Sequence, residues 1–284
     1  MPELPEVETT VRDLRPHLVG LTIIGARVGW PRSIAAPSAR EFVRQVKGYV
    51  IADIRRRGKF LVFYLSSAVP RDTETPQRRD KLLFVHLRMT GGFRIDPRAV
   101  RRDKHVHVRF ELDNGQELRF RDPRKFGRMW LVEEPNAVVG KLGPEPLEMT
   151  QGEFVALFDG RRGQLKPLLM NQTFLAGLGN IYVDESLWYA RLHPLRRAES
   201  LSRAERVRLY RAVRRVLARA IAVGGTSIDV MYRRVNGESG GFQDSLRAFD
   251  REARPCRRCG TAIAKMVLGQ RGTHYCPKCQ SLDV

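Results

Sequence analysis

The residues of this sequence best suited to chemistry are four cysteines near its end and a proline at its beginning. The cysteines form two C-x2-C pairs, Cys256 with Cys259 and Cys276 with Cys279, separated by sixteen residues. Two thiolates at this spacing can bind one tetrahedral ion on a turn, and a hairpin brings the second pair across. The pattern predicts one structural Zn²⁺ with four protein ligands; two buried or redox-active cysteine pairs are the alternative.

The proline is Pro2, which becomes a free secondary amine once Met1 is removed, as amino-terminal processing commonly does before a small residue. An α-amino group titrates near neutrality, so a useful fraction is nucleophilic. With an aldehyde-level carbon such as C1′ of a nucleotide, a secondary amine gives a cationic iminium that withdraws electrons. Glu3 stands beside it as a candidate proton donor. Prolines and acidic residues are also ordinary at a helix start, which is the alternative interpretation.

The elements that must position Pro2 begin with a helix. Apolar residues in steps of three and four predict one buried helical face, at Leu4, Val7, Val11, Leu14 and Leu18. From about residue 22 to 133 the period changes to two, which predicts strands, with a hairpin at residues 113–115. We therefore expect an α+β fold that starts with an antiparallel β-sandwich carrying an N-terminal helix.

The second half is predicted to be mainly helical. Residues 135–149 carry three prolines and two glycines, which is typical of a linker. Helical periodicity covers residues 151–159 and 164–175, and Ser202 with Glu205 forms a capping box. That box opens a helix with its apolar stripe at Val207, Tyr210, Val213, Leu217 and Ile221. Residues 226–245 are polar and glycine-rich, which predicts a functional loop.

The charge of the chain indicates the class of partner. There are 51 Lys and Arg residues against 31 Asp and Glu, a net charge of +20. This excess favours nucleic acid, because cationic side chains displace condensed counterions from a phosphate backbone. An anionic membrane surface is the competitor, but the apolar stretches fall far short of a spanning helix. We see no secretory signal, and the clustered cysteines indicate a reducing compartment, so we expect a cytoplasmic protein.

Six stretches of the sequence lie in an order that resembles one protein family. They are PELPEVET, HLRMTG, DPRKFG, GLGNIY, GGT and the C-x2-C…QRGTHYC-x2-C end. This ordered set resembles the bacterial formamidopyrimidine-DNA glycosylases, which excise oxidised purines such as 8-oxoguanine and nick the abasic site. The resemblance implies a bifunctional DNA glycosylase and AP lyase of base excision repair. Its partner would be double-stranded DNA with oxidised bases or abasic sites, bound by a nucleoid-associated monomer.

The resemblance assigns chemistry to four residues. Pro2 is similar to the Schiff-base nucleophile, and Glu3 to the proton donor for base loss and sugar opening. Lys59, in RRRGKF, corresponds to a lysine that assists β-elimination and grips phosphate; considered alone it would be a solvated strand lysine. Arg271 corresponds to the zinc-hairpin arginine that holds phosphate and assists δ-elimination.

The resemblance also assigns the handling of DNA. A base inside a duplex must be extruded and its gap filled. Met89, Arg124 and Phe126 correspond to this wedge: two apolar side chains occupy the vacated stack and the arginine hydrogen-bonds the orphaned cytosine. The 226–245 loop would cap the flipped base. Contacts to the DNA backbone are assigned to His105, Arg161, Lys166 and Asn180.

The resemblance divides the chain into four regions: the sandwich at 1–134, a linker at 135–149, a helix-two-turn-helix domain at 150–245 and a zinc finger at 246–284. The sequence departs from the family pattern at Arg88, where glycine is common, and at Lys125, where arginine is commoner. One alternative is the related endonuclease VIII specificity for oxidised pyrimidines. Another is a non-catalytic DNA-binding protein, which would bind DNA without nicking it.

Overall fold

The computed structural model describes residues 1–67, 79–101, 103–228 and 232–282. Its contacts divide the chain into two units. The N-terminal unit comprises Met1–Lys141 with Gly224–Gly240, and the C-terminal unit comprises Leu142–Val223 with Gly241–Val284. Residues 224–240 therefore pack with the first unit, although the sequence placed them with the helices. The cysteine region packs in the same unit as the helices.

Helix α1 spans Leu4–Leu18, as the apolar periodicity predicts. Pro5 lies in its first turn, where a missing backbone N–H costs no hydrogen bond. The five apolar residues of the predicted stripe are all buried. The helix thus starts immediately after Pro2 and Glu3 and holds them against the core.

The strands of the N-terminal unit are β1 Thr22–Val28, β2 Ile34–Ala36, β3 Tyr49–Arg57, β4 Phe60–Ser67, β5 Lys81–His86, β6 Gly92–Pro97, β7 Val106–Leu112, β8 Gln116–Arg121 and β9 Arg128–Val132. Over the residues that the structure describes, they form one sheet in the order β2-β9-β5-β4-β3-β1-β7-β8-β6. The β2–β9 pair is parallel, and the other neighbouring pairs are antiparallel. The predicted turn at residues 113–115 joins β7 to β8.

The sheet curves until its two halves share one core. Phe63 of β4 and Phe93 of β6 are far apart in strand order, yet their ring centroids lie 5.8 Å apart. Both belong to the same buried cluster as the apolar face of α1. A continuous, strongly curved sheet therefore builds the predicted β-sandwich, and α1 packs on β3 and β4.

Helix α2, Ala39–Val46, interrupts the region that the period of two assigned to strands. Ser38 caps it, because its hydroxyl accepts a hydrogen bond from the Glu41 N–H at 3.2 Å. Phe42 packs against Phe110 of β7 with 6.0 Å between ring centroids. A serine followed three residues later by glutamate is the signal that would have predicted this helix.

The remaining helices are α3 Asn136–Val139, α4 Gln151–Ala156, α5 Leu165–Met170, α6 Asn180–Ala190 and α7 Arg203–Ala222. The predicted capping box opens α7: Glu205 accepts from the Ser202 N–H at 2.8 Å, and Ser202 accepts from the Glu205 N–H at 3.3 Å. The predicted apolar stripe of α7 was partly wrong: Val213 and Leu217 are buried, but Val207, Tyr210 and Ile221 are only partly buried. The buried face is shifted because two alanines form part of it. That face is Leu209, Ala212, Val213, Val216, Leu217 and Ala220.

Strands β10 Ala264–Leu268 and β11 Arg271–Tyr275 form the hairpin between the two cysteine pairs. Gly269 and Gln270 turn the chain with φ values of 56° and 60°. Two successive left-handed residues make the tight turn that suits a twisted hairpin. Among the described residues, the helices include none that is long and apolar enough to cross a membrane.

Candidate active site and nucleic-acid interface

Pro2 and Glu3 form a buried, extended segment immediately before α1. Both side chains are buried, and Glu3 is only 3% exposed. The Glu3 N–H donates to Oε2 of Glu6 at 2.8 Å, and Oε1 of Glu6 accepts from the Thr226 N–H at 2.8 Å. One buried carboxylate therefore fixes the backbone beside Pro2 and ties it to residues 224–228.

Residues 232–240 are joined to α1 by two further contacts. The hydroxyl of Tyr232 donates to the Glu6 carbonyl at 3.3 Å, and Arg234 pairs with Asp13 at 2.7 Å. Burial raises the pKa of Tyr232, so the phenol stays a donor. Residues 229–231 of the predicted 226–245 loop lie outside the described residues. The role of this loop in capping a flipped base stays a prediction.

Lys59 lies in the two-residue turn between β3 and β4. It is 7% exposed rather than a solvated strand residue. Arg56 fixes this turn, because it donates to the Gly58 carbonyl at 3.1 Å and pairs with Glu8 of α1 at 3.2 Å. The same helix that begins after Glu3 therefore also anchors the turn that carries Lys59.

His86, at the end of β5, begins the HLRMTG motif and lies opposite Phe60, the residue that follows Lys59; the sequence did not single it out. It is 9% exposed, and its ring packs edge-on against Phe60 at 4.8 Å. Nδ1 accepts the Arg88 N–H at 3.0 Å, so the neutral ring carries its proton on Nε2. Burial, then the positive charges of Arg88 and Lys59, lowers the pKa of His86 to about 3.

The lowered pKa of His86 predicts an acid-sensitive contribution to stability. The unfolded chain gains a proton on this histidine below its ordinary pKa of 6.5, and the folded chain gains it only near 3. Stability is therefore lost as pH falls between these values. Between about pH 7.5 and about pH 5, the free energy of unfolding of wild type, measured with urea, should fall by about 2 kcal/mol more than that of His86→Asn. Asparagine is chosen because its side-chain oxygen can replace Nδ1 as the acceptor for the Arg88 N–H. His17→Asn, at an exposed site, is the control, and parallel losses in wild type and His86→Asn would contradict the prediction.

The three predicted wedge residues are exposed on two neighbouring loops. Met89 is 38% and Phe126 44% exposed, and the Arg124 guanidinium lies 4.9 Å from the centre of the Phe126 ring. Asp122 joins the loops, because it accepts hydrogen bonds from the Thr90 hydroxyl and from the Arg124 N–H. The three residues that the resemblance assigned to the wedge therefore lie on two loops that Asp122 connects.

His105 belongs to the same assembly. Its carbonyl accepts the Asp122 N–H at 2.9 Å, and its side chain is half-buried. A cavity of about 390 Å³ lies beside Thr90 in the N-terminal unit. The charged residues that line it are Arg94, Asp103, Arg121, Arg233 and Arg234. Arg121 pairs with Asp103 and Arg234 pairs with Asp13, but Arg94 and Arg233 add positive charge to the lining, which makes this surface attractive to phosphate.

In the C-terminal unit, two residues predicted to contact DNA both hydrogen-bond the zinc-finger hairpin; Lys166 is buried, whereas Asn180 is half-buried. The Gly272 carbonyl accepts from Nζ of Lys166 at 3.2 Å and from Nδ2 of Asn180 at 3.0 Å. Lys166 is 1% exposed and pairs with Asp184 at 2.6 Å. We therefore correct the direct phosphate contact predicted for Lys166: its ammonium is buried in an ion pair and positions the strand that begins at Arg271.

Asp184 and Glu185 complete this buried support. Asp184 accepts the His274 N–H at 2.9 Å, so it holds the backbone of β11 as well as Lys166. Glu185 accepts backbone N–H groups from residues 247–249 at 2.8 to 3.0 Å. Burial outweighs these donors and raises the pKa of Glu185 to about 7. No local pattern indicated Glu185, because its partners are about sixty residues away.

Two predicted phosphate contacts remain on the surface. Arg271 is exposed at the start of β11. Arg161 is exposed in the loop before α5, with its guanidinium 5.9 Å from the centre of the Phe174 ring. Both can reach a polyanion without breaking a buried contact.

The four cysteines form the predicted cluster. Their sulfur atoms all lie within 4.8 Å of one another. The indole N–H of Trp188 in α6 points at Sγ of Cys256 at 3.4 Å, and the Cys279 N–H points at Sγ of Cys276 at 3.4 Å. N–H donors stabilise thiolates, and four thiolates in a closed set suit a tetrahedral structural zinc ion.

Models of three protein domains match this chain in order. The formamidopyrimidine-DNA glycosylase N-terminal domain matches residues 1–129, the H2TH domain residues 142–231, and the zinc finger found in FPG and IleRS residues 254–282. The chain belongs to the formamidopyrimidine-DNA glycosylase family. The family resemblance found in the motifs is therefore confirmed. Formamidopyrimidine-DNA glycosylases are DNA repair enzymes.

Relatives in this family match nearly the whole chain. The formamidopyrimidine-DNA glycosylase of Deinococcus radiodurans is 45% identical over 291 residues, which cover 99% of this chain and 98% of that protein. The enzyme of Protochlamydia amoebophila is 41% identical over 286 residues, 99% of each chain. The match therefore includes every motif named above.

Solved structures of the family share the fold. A point mutant of Lactococcus lactis FPG, in complex with a Fapy-dG containing DNA, gives a TM-score of 0.87 at 34% identity, over 99% of this chain and 100% of that chain. MutM in complex with carbocyclic 8-oxo-G containing DNA gives 0.86 at 35% identity, with the same coverage. These similarities confirm the predicted α+β fold class with its helical region and zinc-finger end.

Proposed function

We propose that this chain is a bifunctional glycosylase and AP lyase that removes 8-oxoguanine and formamidopyrimidines from double-stranded DNA. The observation that carries the proposal is the buried segment of Pro2 and Glu3, held at the start of α1 by Glu6. Family relatives solved with Fapy-dG, 8-oxo-G and abasic DNA support the substrate class. We expect a monomer acting on DNA in the bacterial nucleoid, since one chain carries every proposed residue.

The first half of the reaction breaks the glycosidic bond. After loss of Met1, the nitrogen of Pro2 attacks C1′ and the base leaves with the bonding electrons. The proton that the amine loses balances the one that the departing base gains. Glu3 assists base loss and sugar opening together: it donates a proton to the ring oxygen O4′ as the base departs, and the C1′–O4′ bond opens to give an iminium between Pro2 and C1′. Glu3 suits this role because it is buried beside the amine.

The second half breaks the strand. The cationic iminium acidifies C2′, and loss of a C2′ proton expels the 3′ phosphate by β-elimination. Loss of a C4′ proton then expels the 5′ phosphate by δ-elimination, and water hydrolyses the iminium to restore the amine of Pro2. Lys59 assists the first elimination, and Arg271 assists the second by balancing phosphate charge.

The remaining proposed residues handle the duplex. Met89, Arg124 and Phe126 fill the gap that the extruded nucleotide leaves, and residues 226–245 cap the flipped base. One Zn²⁺ held by the four cysteines supplies a tetrahedral cross-link that keeps the hairpin folded. Contacts to the backbone come from His105, Arg161 and Asn180, with Lys166 acting through Gly272.

The test is borohydride trapping with two duplexes, one containing 8-oxoguanine opposite cytosine and one containing an abasic site. Wild type should form a covalent complex with both, and mass spectrometry should place the reduced sugar on the nitrogen of Pro2. A variant with one extra residue before Pro2 should bind DNA but trap nothing. A sugar adduct on an internal lysine, or active protein that retains Met1 throughout, would contradict the proposal.

The same assay distinguishes the alternative specificities. The structure of wild-type Lactococcus lactis FPG has been solved in complex with an oxidised pyrimidine containing DNA, so oxidised pyrimidines belong among the substrates tested. Thymine glycol should be excised more slowly than 8-oxoguanine, and the reverse order would favour the endonuclease VIII specificity. Salt-dependent DNA binding without any nicking would favour a non-catalytic DNA-binding protein.

A further inference from the structure

Asp122 is a buried carboxylate that lies between the two loops of the wedge. It is 1% exposed and follows the end of β8. Its Oδ1 accepts the Thr90 hydroxyl and the Arg124 N–H at 3.3 Å, and its Oδ2 accepts the Gly127 N–H at 2.7 Å. Both oxygens are therefore used, and each donor belongs to a wedge loop.

The same two loops also pack on one ring. A Cβ atom at Gly91 would lie 2.8 Å from the Phe120 ring, and one at Gly127 would lie 2.4 Å from it. Phe120 is fully buried. The loop of Met89 and the loop of Phe126 thus approach the core so closely that only glycine fits at these positions.

Each wedge loop contains a residue in the left-handed conformation. Arg88 has φ 58° and Lys125 has φ 60°. Side chains other than glycine adopt this region at a cost, and such residues persist where the surroundings determine the backbone. The Lys125 N–H donates to the backbone carbonyl of Asp122 at 3.1 Å. Asp122 therefore also helps to hold Lys125 in its left-handed conformation.

We propose that Asp122 and Thr90 are positioning residues that preset the wedge before DNA binds. The inference rests on the proposed function, because it gives the two loops a duplex to enter. A wedge that is already ordered loses less conformational entropy on binding, which favours extrusion of a nucleotide from a stacked duplex. A single-stranded abasic substrate has no base stack with a gap to fill, so its cleavage should not depend on the order of the two wedge loops.

Two variants of Thr90 isolate the hydroxyl. Thr90→Val keeps the shape and removes the hydroxyl, which donates to Asp122 and accepts the Arg124 N–H at 3.2 Å, whereas Thr90→Ser keeps the hydroxyl. Thr90→Val should lower kcat/KM for a lesion duplex about five- to tenfold and change cleavage of single-stranded abasic DNA by less than about twofold. Thr90→Ser should match wild type on both substrates. Equal losses on both substrates, or no loss on the duplex, would overturn the proposal.

A second measurement does not depend on catalysis. In the DNA-free protein, amide hydrogen exchange at Arg124 and Gly127 should be faster in Thr90→Val than in wild type, and faster still in Asp122→Asn. The asparagine places an amide N–H₂ opposite one of these backbone N–H groups in either orientation of its side chain. Unchanged exchange would overturn the proposal. If exchange is faster in the two variants but wild type nicks no DNA, the role of Asp122 and Thr90 in ordering the loops is supported and the proposed function is rejected.

Discussion

Replacing Glu3 by glutamine should lower excision of 8-oxoguanine by about a hundred- to ten-thousandfold, the usual contribution of a positioned proton donor. Glutamine keeps the size of the side chain but has no proton to give to O4′. Nicking of a preformed abasic site should fall much less, because that substrate has already lost its base and exists partly as an open aldehyde. Single-turnover assays on the two substrates would measure the two effects separately.

Glu41→Gln is the control for this experiment. Glu41 lies in the first turn of α2, in the same unit, and its side chain is 37% exposed. It should leave both activities unchanged, which separates loss of a proton donor from loss of a carboxylate charge. Full excision by Glu3→Gln would remove Glu3 from the mechanism. An equal fall on both substrates would place its role after base loss.

Replacing Cys276, a proposed zinc ligand, should unfold the hairpin β10–β11 and weaken lesion-duplex binding about ten- to a hundredfold, through loss of the proposed phosphate contact of Arg271. Cys276→Ser should also lower the free energy of unfolding by about 3–6 kcal/mol, because Lys166 and Asp184 each lose a charge-assisted hydrogen bond to the hairpin, worth about 1.5–3 kcal/mol apiece. Fluorescence anisotropy with labelled DNA and thermal unfolding would measure both effects.

Lys278→Ser is the matched control, because Lys278 is exposed between Cys276 and Cys279 and brings no thiolate. It should bind one equivalent of zinc, measured with a chromogenic chelator, and unfold like wild type. Chelation of the wild-type metal should reproduce the Cys276→Ser phenotype, and added zinc should reverse it. A Cys276→Ser protein that melts and binds DNA like Lys278→Ser would contradict a structural role for the metal.

Sequence alone predicted the parts of this molecule that depend on local pattern. The period of α1, the strands, the 113–115 turn and the cysteine spacing each follow from neighbouring residues. Helix α2 was missed because its Ser38–Glu41 cap lies inside a long region of period two. The buried face of α7 was misplaced because alanines contribute to the core without standing out as apolar residues.

The supporting residues of the candidate site could not be predicted in this way. Asp122, Glu185 and His86 acquire their roles from burial and from partners far along the chain, such as Thr90 for Asp122 and Ala248 for Glu185. Lys166 shows the converse. Its residue type and the family resemblance predicted a contact to a DNA phosphate, but Lys166 is buried and forms an ion pair with Asp184 instead. A single sequence reports residue types, whereas these roles are set by solvent exclusion.

The attachment of residues 224–240 to α1 has a consequence for dissecting the protein. A fragment that stops at Lys141 would lack Thr226, Tyr232 and Arg234. Its Glu6 would lose the donor on Oε1, and Asp13 would lose its guanidinium. The N-terminal unit is therefore not encoded by one contiguous stretch, and an autonomous version would need residues 224–240 joined back onto it.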